Sequence, residues 1–175
     1  MDKATLRKTI MKQRSELSQE EVQRRSKKIC EKILRLPEYK SSKVVYLYYP
    51  INNEVDLRLV AKDCLEKGKT MAFPKVIDGQ IEFFVASSED DFEPGAYNIP
   101  EPKEDIKAPK ADLLLAPGVA FSIDAMRVGY GGGMYDRFLS KNSVHTIGVC
   151  YSFQLLNRVP TLAHDERLDE IIYDE

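Results

Sequence analysis

The sequence predicts an α/β fold, a largely parallel sheet with helices on both faces. Three observations carry this. Short runs such as "KVVYLYY", "ADLLLAP" and "HTIGVCY" are apolar almost throughout, as strands are when helices cover both sides of a sheet. Amphipathic helical patterns lie between such runs, so strand, helix and strand follow one another. The chain has 175 residues, 43% hydrophobic and 31% charged, which suits one domain over residues 1–175 with a sizeable core.

The elements follow in order. A helix is expected from about Lys3 to Leu17, with Leu6, Ile10 and Leu17 as a narrow apolar stripe. Lys3, Arg7 and Arg14 share another face of it. That face reads either as a solvated surface or as cations laid against an anionic ligand. "LSQEE" is a capping box, Ser18 with Glu21, which opens a second helix. Val22, Ser26, Ile29, Ile33 and Leu36 form its buried stripe, and Pro37 ends it.

Lys43–Tyr49 is a buried strand, and "INNEVD" is the loop beyond its C-terminal end. Leu57, Val60, Ala61, Cys64 and Leu65 form a helical face stopped by Gly68. "TMAFP" is the next short strand, completing a parallel βαβ unit. "KVIDGQIEFFV" is expected as a separate hairpin turning at Asp78-Gly79. Residues Ser87–Asp112, acidic and rich in proline, read as a long surface loop pinned by Phe92 and Tyr97. "ADLLLAP" is a third parallel strand. A glycine-rich stretch and a helix from near Gly133 to about Leu139 come next. "HTIGVCY" is a fourth strand, with His145 at a strand edge. "SFQLLNRVP" is a helical turn and loop, and a last short strand lies in "HDERLDEIIYDE". The expected architecture is an open three-layer α/β/α domain, Rossmann-like in its layers. Ligands in such sheets bind beyond the carboxyl ends of the strands. Both "INNEVD" and the glycine stretch lie there.

Composition narrows the function classes. A formal net charge of −2 argues against a protein that holds nucleic acid by bulk charge. The three cysteines, Cys30, Cys64 and Cys150, form no CxxC pair and read as small buried apolar residues. The N-terminal segment lacks an apolar signal core, and no apolar run approaches the ~20 residues of a membrane span. The expectation is a cytoplasmic protein without a membrane partner.

The stretch "RVGYGGGMYDR", Arg127 to Arg137, holds Gly129, Gly131, Gly132 and Gly133. A P-loop requires GxxxxGK[ST], and no lysine follows these glycines. A dinucleotide fingerprint requires GxGxxG, and Met134 occupies the third glycine position. A physical reading survives both failures. Glycines let backbone N–H groups approach a ligand closely, and before a helix they form an anion site. Arg127 and Arg137 add positive charge at either end. Asp136 beside phosphates is explained by a divalent cation that bridges them. The plainer alternative is a flexible turn capped by Asp136.

The run "LLAPGVAFSIDAMRVGYGGGMYDRFL" resembles the signature of the 5-formyltetrahydrofolate cyclo-ligase family, also called 5,10-methenyltetrahydrofolate synthetases. "KATLRK" with "KQRSELS", "NEVD", "GAYNIPEP" and "HDERLDEII" resemble that family's other blocks, in order, over nearly the whole chain. The resemblance implies ATP- and Mg²⁺-dependent closure of 5-formyltetrahydrofolate to 5,10-methenyltetrahydrofolate, with ADP and phosphate released, in one-carbon metabolism. It also implies roles for residues. Lys3 and Arg7 match the N-terminal ATP contacts, with Arg14 as a further cation. Arg127, Gly129, Tyr130, Gly131, Gly132, Gly133, Met134 and Tyr135 match the ATP loop. Arg127, Tyr135 and Arg137 are the expected catalytic groups. Asp136 and Asp165 match the Mg²⁺ ligands. Glu54 matches a contact to the pterin N–H groups. Tyr49 matches a substrate-lining position, with Tyr130 to Met134 lining the same cleft.

Two positions depart from the pattern. Met134 stands where relatives often have tyrosine, and Gly132 where some have lysine. Gln154 is expected as a polar cleft residue, and His164, beside Asp165, reads either as orienting the metal loop or as a plain loop histidine. No motif supports a triad through Ser122 or Ser152. Two other classes fit the same residues less completely. One is a different ATP-dependent kinase or ligase; the other is a non-catalytic nucleotide- or folate-binding module. A monomer is expected.

Overall fold

The computed structural model describes residues 1–175. Five α-helices are present: α1 (Lys3–Ser15), α2 (Gln19–Arg35), α3 (Pro37–Ser41), α4 (Arg58–Glu66) and α5 (Met134–Lys141). The strands are β1 (Val44–Tyr46), β2 (Thr70–Ile77), β3 (Gln80–Val85), β4 (Phe92–Pro94), β5 (Pro100–Pro102) and β6 (Leu113–Ala116). Further along lie β7 (Ala120–Ser122), β8 (Arg127–Val128), β9 (His145–Val149), β10 (Leu155–Leu156) and β11 (Glu170–Ile172). The main sheet has the order β11-β9-β6-β1-β2-β3, parallel except for the β2–β3 pair. Its parallel part is wound outward in both directions from β1. The direction in which strands are added therefore reverses between β1 and β6, and a crevice opens beyond their carboxyl ends.

Side-chain alternation along the strands builds the layers. Val45 and Leu47 of the first strand segment, with Leu113, Leu115, Ile147 and Val149, face Ile29, Cys30 and Ile33 of α2 and Val60 and Cys64 of α4. Tyr46, Ala72, Phe83 and Leu114 point the other way, toward Phe138 and Leu139 of α5. Both faces of the sheet are thus covered, as the apolar runs require. The capping box at Ser18 and Glu21 forms as expected, and Pro37 closes α2 and opens α3. All three cysteines are buried and free.

Three expectations need correction. "TMAFP" and "KVI" are one strand, β2, which pairs with β1 only through Ala72 and with β3 to its end. Pro74 does not end it, because beyond Ala72 the β1 side of β2 has no ladder partner to lose. The segment after Ser87 is more ordered than a loop: β4 and β5 form a small antiparallel ribbon. Phe92 anchors it, packed edge-on against Tyr49 and Phe73 at 5.0 and 4.9 Å between ring centres. Tyr97 does not; it is 70% exposed with φ of 57°. The stretch between β6 and α5 also supplies β7 and β8 to a second sheet, β10-β7-β8, on which Leu6 and Ile10 of α1 pack through Val119, Ala120 and Val128. Its strands of two or three residues are too short to show any periodicity. His145 stands at a strand edge, as expected. It begins β9, an inner strand, with Nδ1 3.9 Å from an Asp169 oxygen.

Candidate active site

A cavity of about 540 Å³ opens beyond the carboxyl ends of β1 and β6. That size suits a small-molecule site. Residues far apart in sequence meet in its wall: Lys3, Arg7, Tyr49, Glu54, Arg127, the loop Gly129–Gly133, Met134, Tyr135, Asp136 and Asp165. The loop after β1 brings Tyr49 and Glu54. The β8 strand and α5 hold the glycine loop between them. Helix α1 leans across and supplies Lys3 and Arg7.

The glycine loop is shaped by its backbone. Gly131 has φ of 112° and Gly133, the residue before α5, has φ of 66°. Both values favour glycine over any residue with a Cβ. Arg7 Nε donates to the Gly129 carbonyl at 2.7 Å and so pins the loop to α1. The Arg127 guanidinium is buried, and its carbon lies 4.9 Å above the Tyr135 ring. Burial pulls its pKa down, opposed chiefly by the field of Asp136. No carboxylate pairs with it directly, so its charge is available to a bound anion.

Glu54 is 7% exposed, and each of its oxygens accepts one hydrogen bond from the protein. One carboxylate oxygen accepts from the Ile51 N–H at 2.8 Å, the other from the Tyr130 hydroxyl at 2.7 Å. Burial raises its pKa; the bonds from Tyr130 and Ile51 and the charges of Arg14 and Arg127 oppose that rise. Each oxygen keeps a lone pair for an N–H donor in the cavity. Tyr49 donates to Glu89 at 2.9 Å, which ties this wall to the segment before β4.

Two carboxylates line the cavity near the cations. Asp136, in the first turn of α5, accepts from the Glu166 N–H through Oδ1 at 3.0 Å. Asp165 accepts through Oδ2 from Lys3 Nζ at 2.6 Å and from the Leu162 N–H at 2.8 Å. Burial works against its charge, but Lys3 and the Leu162 bond outweigh it and hold its carboxyl below the usual range. Its Oδ1 faces only His164, at 3.8 Å. No group of three or more His, Cys, Asp or Glu side chains is gathered to hold a metal. Two all-oxygen donors fit a Mg²⁺ that keeps waters and phosphate oxygens as its other ligands. They do not fit a caged metal.

Three expected site residues lie elsewhere. Arg137 turns away from the cavity, donating to the Gly132 carbonyl at 2.7 Å and to the Gly79 carbonyl at 2.9 Å, so it braces the loop against the β2–β3 turn. Gln154 is buried under the small sheet, bonded to the Gly118 and Val119 carbonyls and to the Tyr151 N–H. Arg14 is 2% exposed and lies behind the wall, not in it. Arg14 shares the helical face of Lys3 and Arg7, but it lies about two turns, roughly 10 Å, further along α1 than Arg7, which carries it past the cavity. Met11, Tyr97, Glu101 and Leu162 line the cavity without having been expected there. Met11 follows Arg7 by one helical turn, a spacing that could have placed it. Tyr97 and Glu101 fall within "GAYNIPEP", one of the family-like blocks, which could have pointed to them; Leu162 depends on a loop path that no local pattern encodes.

Comparison with known proteins agrees with the geometry. The model of the 5-formyltetrahydrofolate cyclo-ligase family matches residues 1–174. A probable 5-formyltetrahydrofolate cyclo-ligase of Caenorhabditis elegans is 30% identical, over 98% of this chain and 92% of its own length. The 5-formyltetrahydrofolate cyclo-ligase of Mycoplasma pneumoniae is 34% identical over the full length of both. Among solved structures, the 5,10-methenyltetrahydrofolate synthetase of Aquifex aeolicus superposes with a TM-score of 0.89 at 38% identity, covering 100% of this chain and 91% of that one. The synthetase structure from Mycoplasma pneumoniae gives 0.82 at 31% identity, covering all of both chains. The fold, the cavity and these matches together place the chain in the 5-formyltetrahydrofolate cyclo-ligase family.

Proposed function

We propose that this cavity closes 5-formyltetrahydrofolate to 5,10-methenyltetrahydrofolate at the expense of ATP. One observation carries the proposal. A single cavity gathers cations, a glycine loop, two carboxylates and a buried glutamate from positions 3 to 165, in a chain that belongs to this family. A different kinase on this scaffold would have no evident use for Glu54, and a pure binding module none for two further acids.

In the proposed reaction the formyl oxygen bonds to the γ-phosphorus of ATP as the β,γ-bridging bond breaks and ADP leaves. N10 then adds to the formyl carbon and loses its proton, and the carbon–oxygen bond breaks to release phosphate. Such transfer needs positioning and charge neutralisation more than acid–base groups. Lys3, Arg7 and Arg127 supply the positive charge, and the glycine-loop N–H groups supply close donors. Tyr135 holds the Arg127 guanidinium in place by stacking. Glu54 takes the pterin N–H groups, and Tyr49, Tyr130 and Met134 line the path of the flat ring. Met134 does so through a polarizable sulfur. Asp136 and Asp165 Oδ1 would hold Mg²⁺, which would neutralise phosphate charge; Lys3 keeps Asp165 ionised and oriented.

The test is optical. Methenyltetrahydrofolate absorbs in the near ultraviolet and the 5-formyl compound does not. Protein, ATP, Mg²⁺ and 5-formyltetrahydrofolate should give a rising trace, and a flat trace with folded protein would overturn the proposal. We read the enzyme further as a cytoplasmic, single-domain monomer. Light scattering at twice the chain mass, or a melt with two separated transitions, would contradict the monomer or the single domain respectively.

A further inference from the structure

Behind the cavity wall, Arg14 binds each of the three segments that converge on the site. Its Nε donates to the Asn52 carbonyl at 2.9 Å, in the loop after β1. Its Nη1 reaches the Gly118 carbonyl at 3.4 Å, just past β6. Its Nη2 donates to the Tyr130 hydroxyl at 2.8 Å, in the glycine loop. No carboxylate pairs with it. The Tyr130 hydroxyl passes the chain on, donating to Glu54 at 2.7 Å. A phenol has one proton to give. Because Arg14 cannot accept, that proton can point only to Glu54.

We infer that Arg14 is a positioning residue. It fixes the Tyr130 hydroxyl as a donor to Glu54 and thereby joins the glycine loop to the carboxylate that takes the folate. Arg14 touches neither substrate; it acts through Tyr130. The guanidinium geometry is what does this, since one planar fork reaches three acceptors at set angles and a lysine ammonium does not. The Glu54 carboxyl is held oriented before substrate arrives, and the Tyr130 bond opposes the rise in pKa that burial imposes on it. The groups that face it are Tyr130, Arg14 and Arg127, with Tyr48 and Tyr135 nearby. The glycine loop and Glu54 are therefore positioned by one network rather than separately.

The inference rests on the proposed function, and its test separates the two. Steady-state kinetics are measured for wild type, Tyr130→Phe, Arg14→Lys and the double variant, with thermal melts alongside. Arg14→Gln replaces Arg14→Lys if the latter does not fold. Each single change should raise KM for 5-formyltetrahydrofolate about tenfold or more, the scale of one hydrogen bond to a buried charge. KM for ATP should change much less. The double variant should be no worse than the worse single, because both changes break one chain. The acid limb of kcat/KM for the folate should move to higher pH in Tyr130→Phe, where Glu54 loses a donor that favours its ionised form, and in the Arg14 variant, where the Tyr130 proton is no longer directed to Glu54. Multiplying effects in the double variant, or an unmoved acid limb, would overturn the positioning role while leaving the activity in place. If both Arg14 variants fail to fold, the Tyr130→Phe acid limb decides alone: unmoved, it overturns the inference. An inactive wild type sinks the proposed function itself.

Discussion

Replacing Gly129 by alanine tests the placement of Arg127 without touching Arg127. A Cβ at Gly129 would lie 2.5 Å from Arg127 Nη1 and 2.9 Å from Nη2. Non-bonded heavy atoms settle at about 3.5–4 Å, so the guanidinium must move by about 1 Å. The backbone does not resist, because Gly129 is not in the positive-φ region. Stability should barely change. Alanine lowers the entropy of the unfolded chain, worth about 0.4–1 kcal/mol. Loosening the 4.9 Å stack of Arg127 on Tyr135 costs about the same. Catalysis should suffer instead. A misplacement of about 1 Å at a positioned group costs on the order of 100-fold, or about 2.7 kcal/mol of barrier. The loss should fall on kcat, since the charge matters most as the phosphoryl group transfers. The assay is methenyl-folate absorbance under saturating substrates, with a thermal melt on the same sample. A kcat within threefold of wild type would refute the reasoning, and so would a fall in kcat matched by a collapsed melting temperature.

Four further outcomes are expected. Glu54→Gln should weaken folate binding by about tenfold or more and ATP binding far less; calorimetry that finds equal losses counts against the pterin contact. Asp136→Ala should abolish turnover and Mg²⁺-dependent nucleotide binding while leaving the melt intact, and full activity in that variant would refute the metal assignment. Gly148→Ala would put a Cβ 2.6 Å from the Phe121 ring and 2.7 Å from Ile171 Cδ1. It should destabilise by about 1–3 kcal/mol through overpacking, and an unchanged melting temperature would show that the core can yield there. At Asp174, burial opposes the charge, but bonds from Arg25 and the Ser152 N–H outweigh it and lower the pKa. The stability this contributes is complete above the unfolded carboxyl value near pH ~4 and is lost as pH falls through the lower folded value. Asp174→Asn should flatten the acid end of the stability profile, and an identical slope in both proteins would exclude the contribution.

Local chemistry made much of the fold legible. Ser18 and Glu21 announced a helix start, Pro37 an end, and Asp78-Gly79 a hairpin, because each acts through its own few neighbours. Continuous apolar runs marked the inner strands. What escaped were segments whose partners lie far away. The strands β7, β8 and β10 have two or three residues each, and only their pairing makes them strands. Pro74 looked like a boundary because the sequence does not say that β1 has already ended beside it.

The site divides in the same way. Sequence alone determined which residue types are present and their local geometry: glycines before a helix, Asp136 in its first turn, cations one turn apart at Lys3 and Arg7. Those follow from the 3.6-residue helical period and from the conformational freedom of glycine. Only the tertiary structure decided which of the cations face the cavity. Arg14 and Arg137 carry the same charge as Arg127, yet one is buried behind the wall and the other is turned to the Gly79 carbonyl. Direction in space depends on packing between segments more than 100 residues apart, such as Arg14 and Tyr130. No period within either segment contains that information.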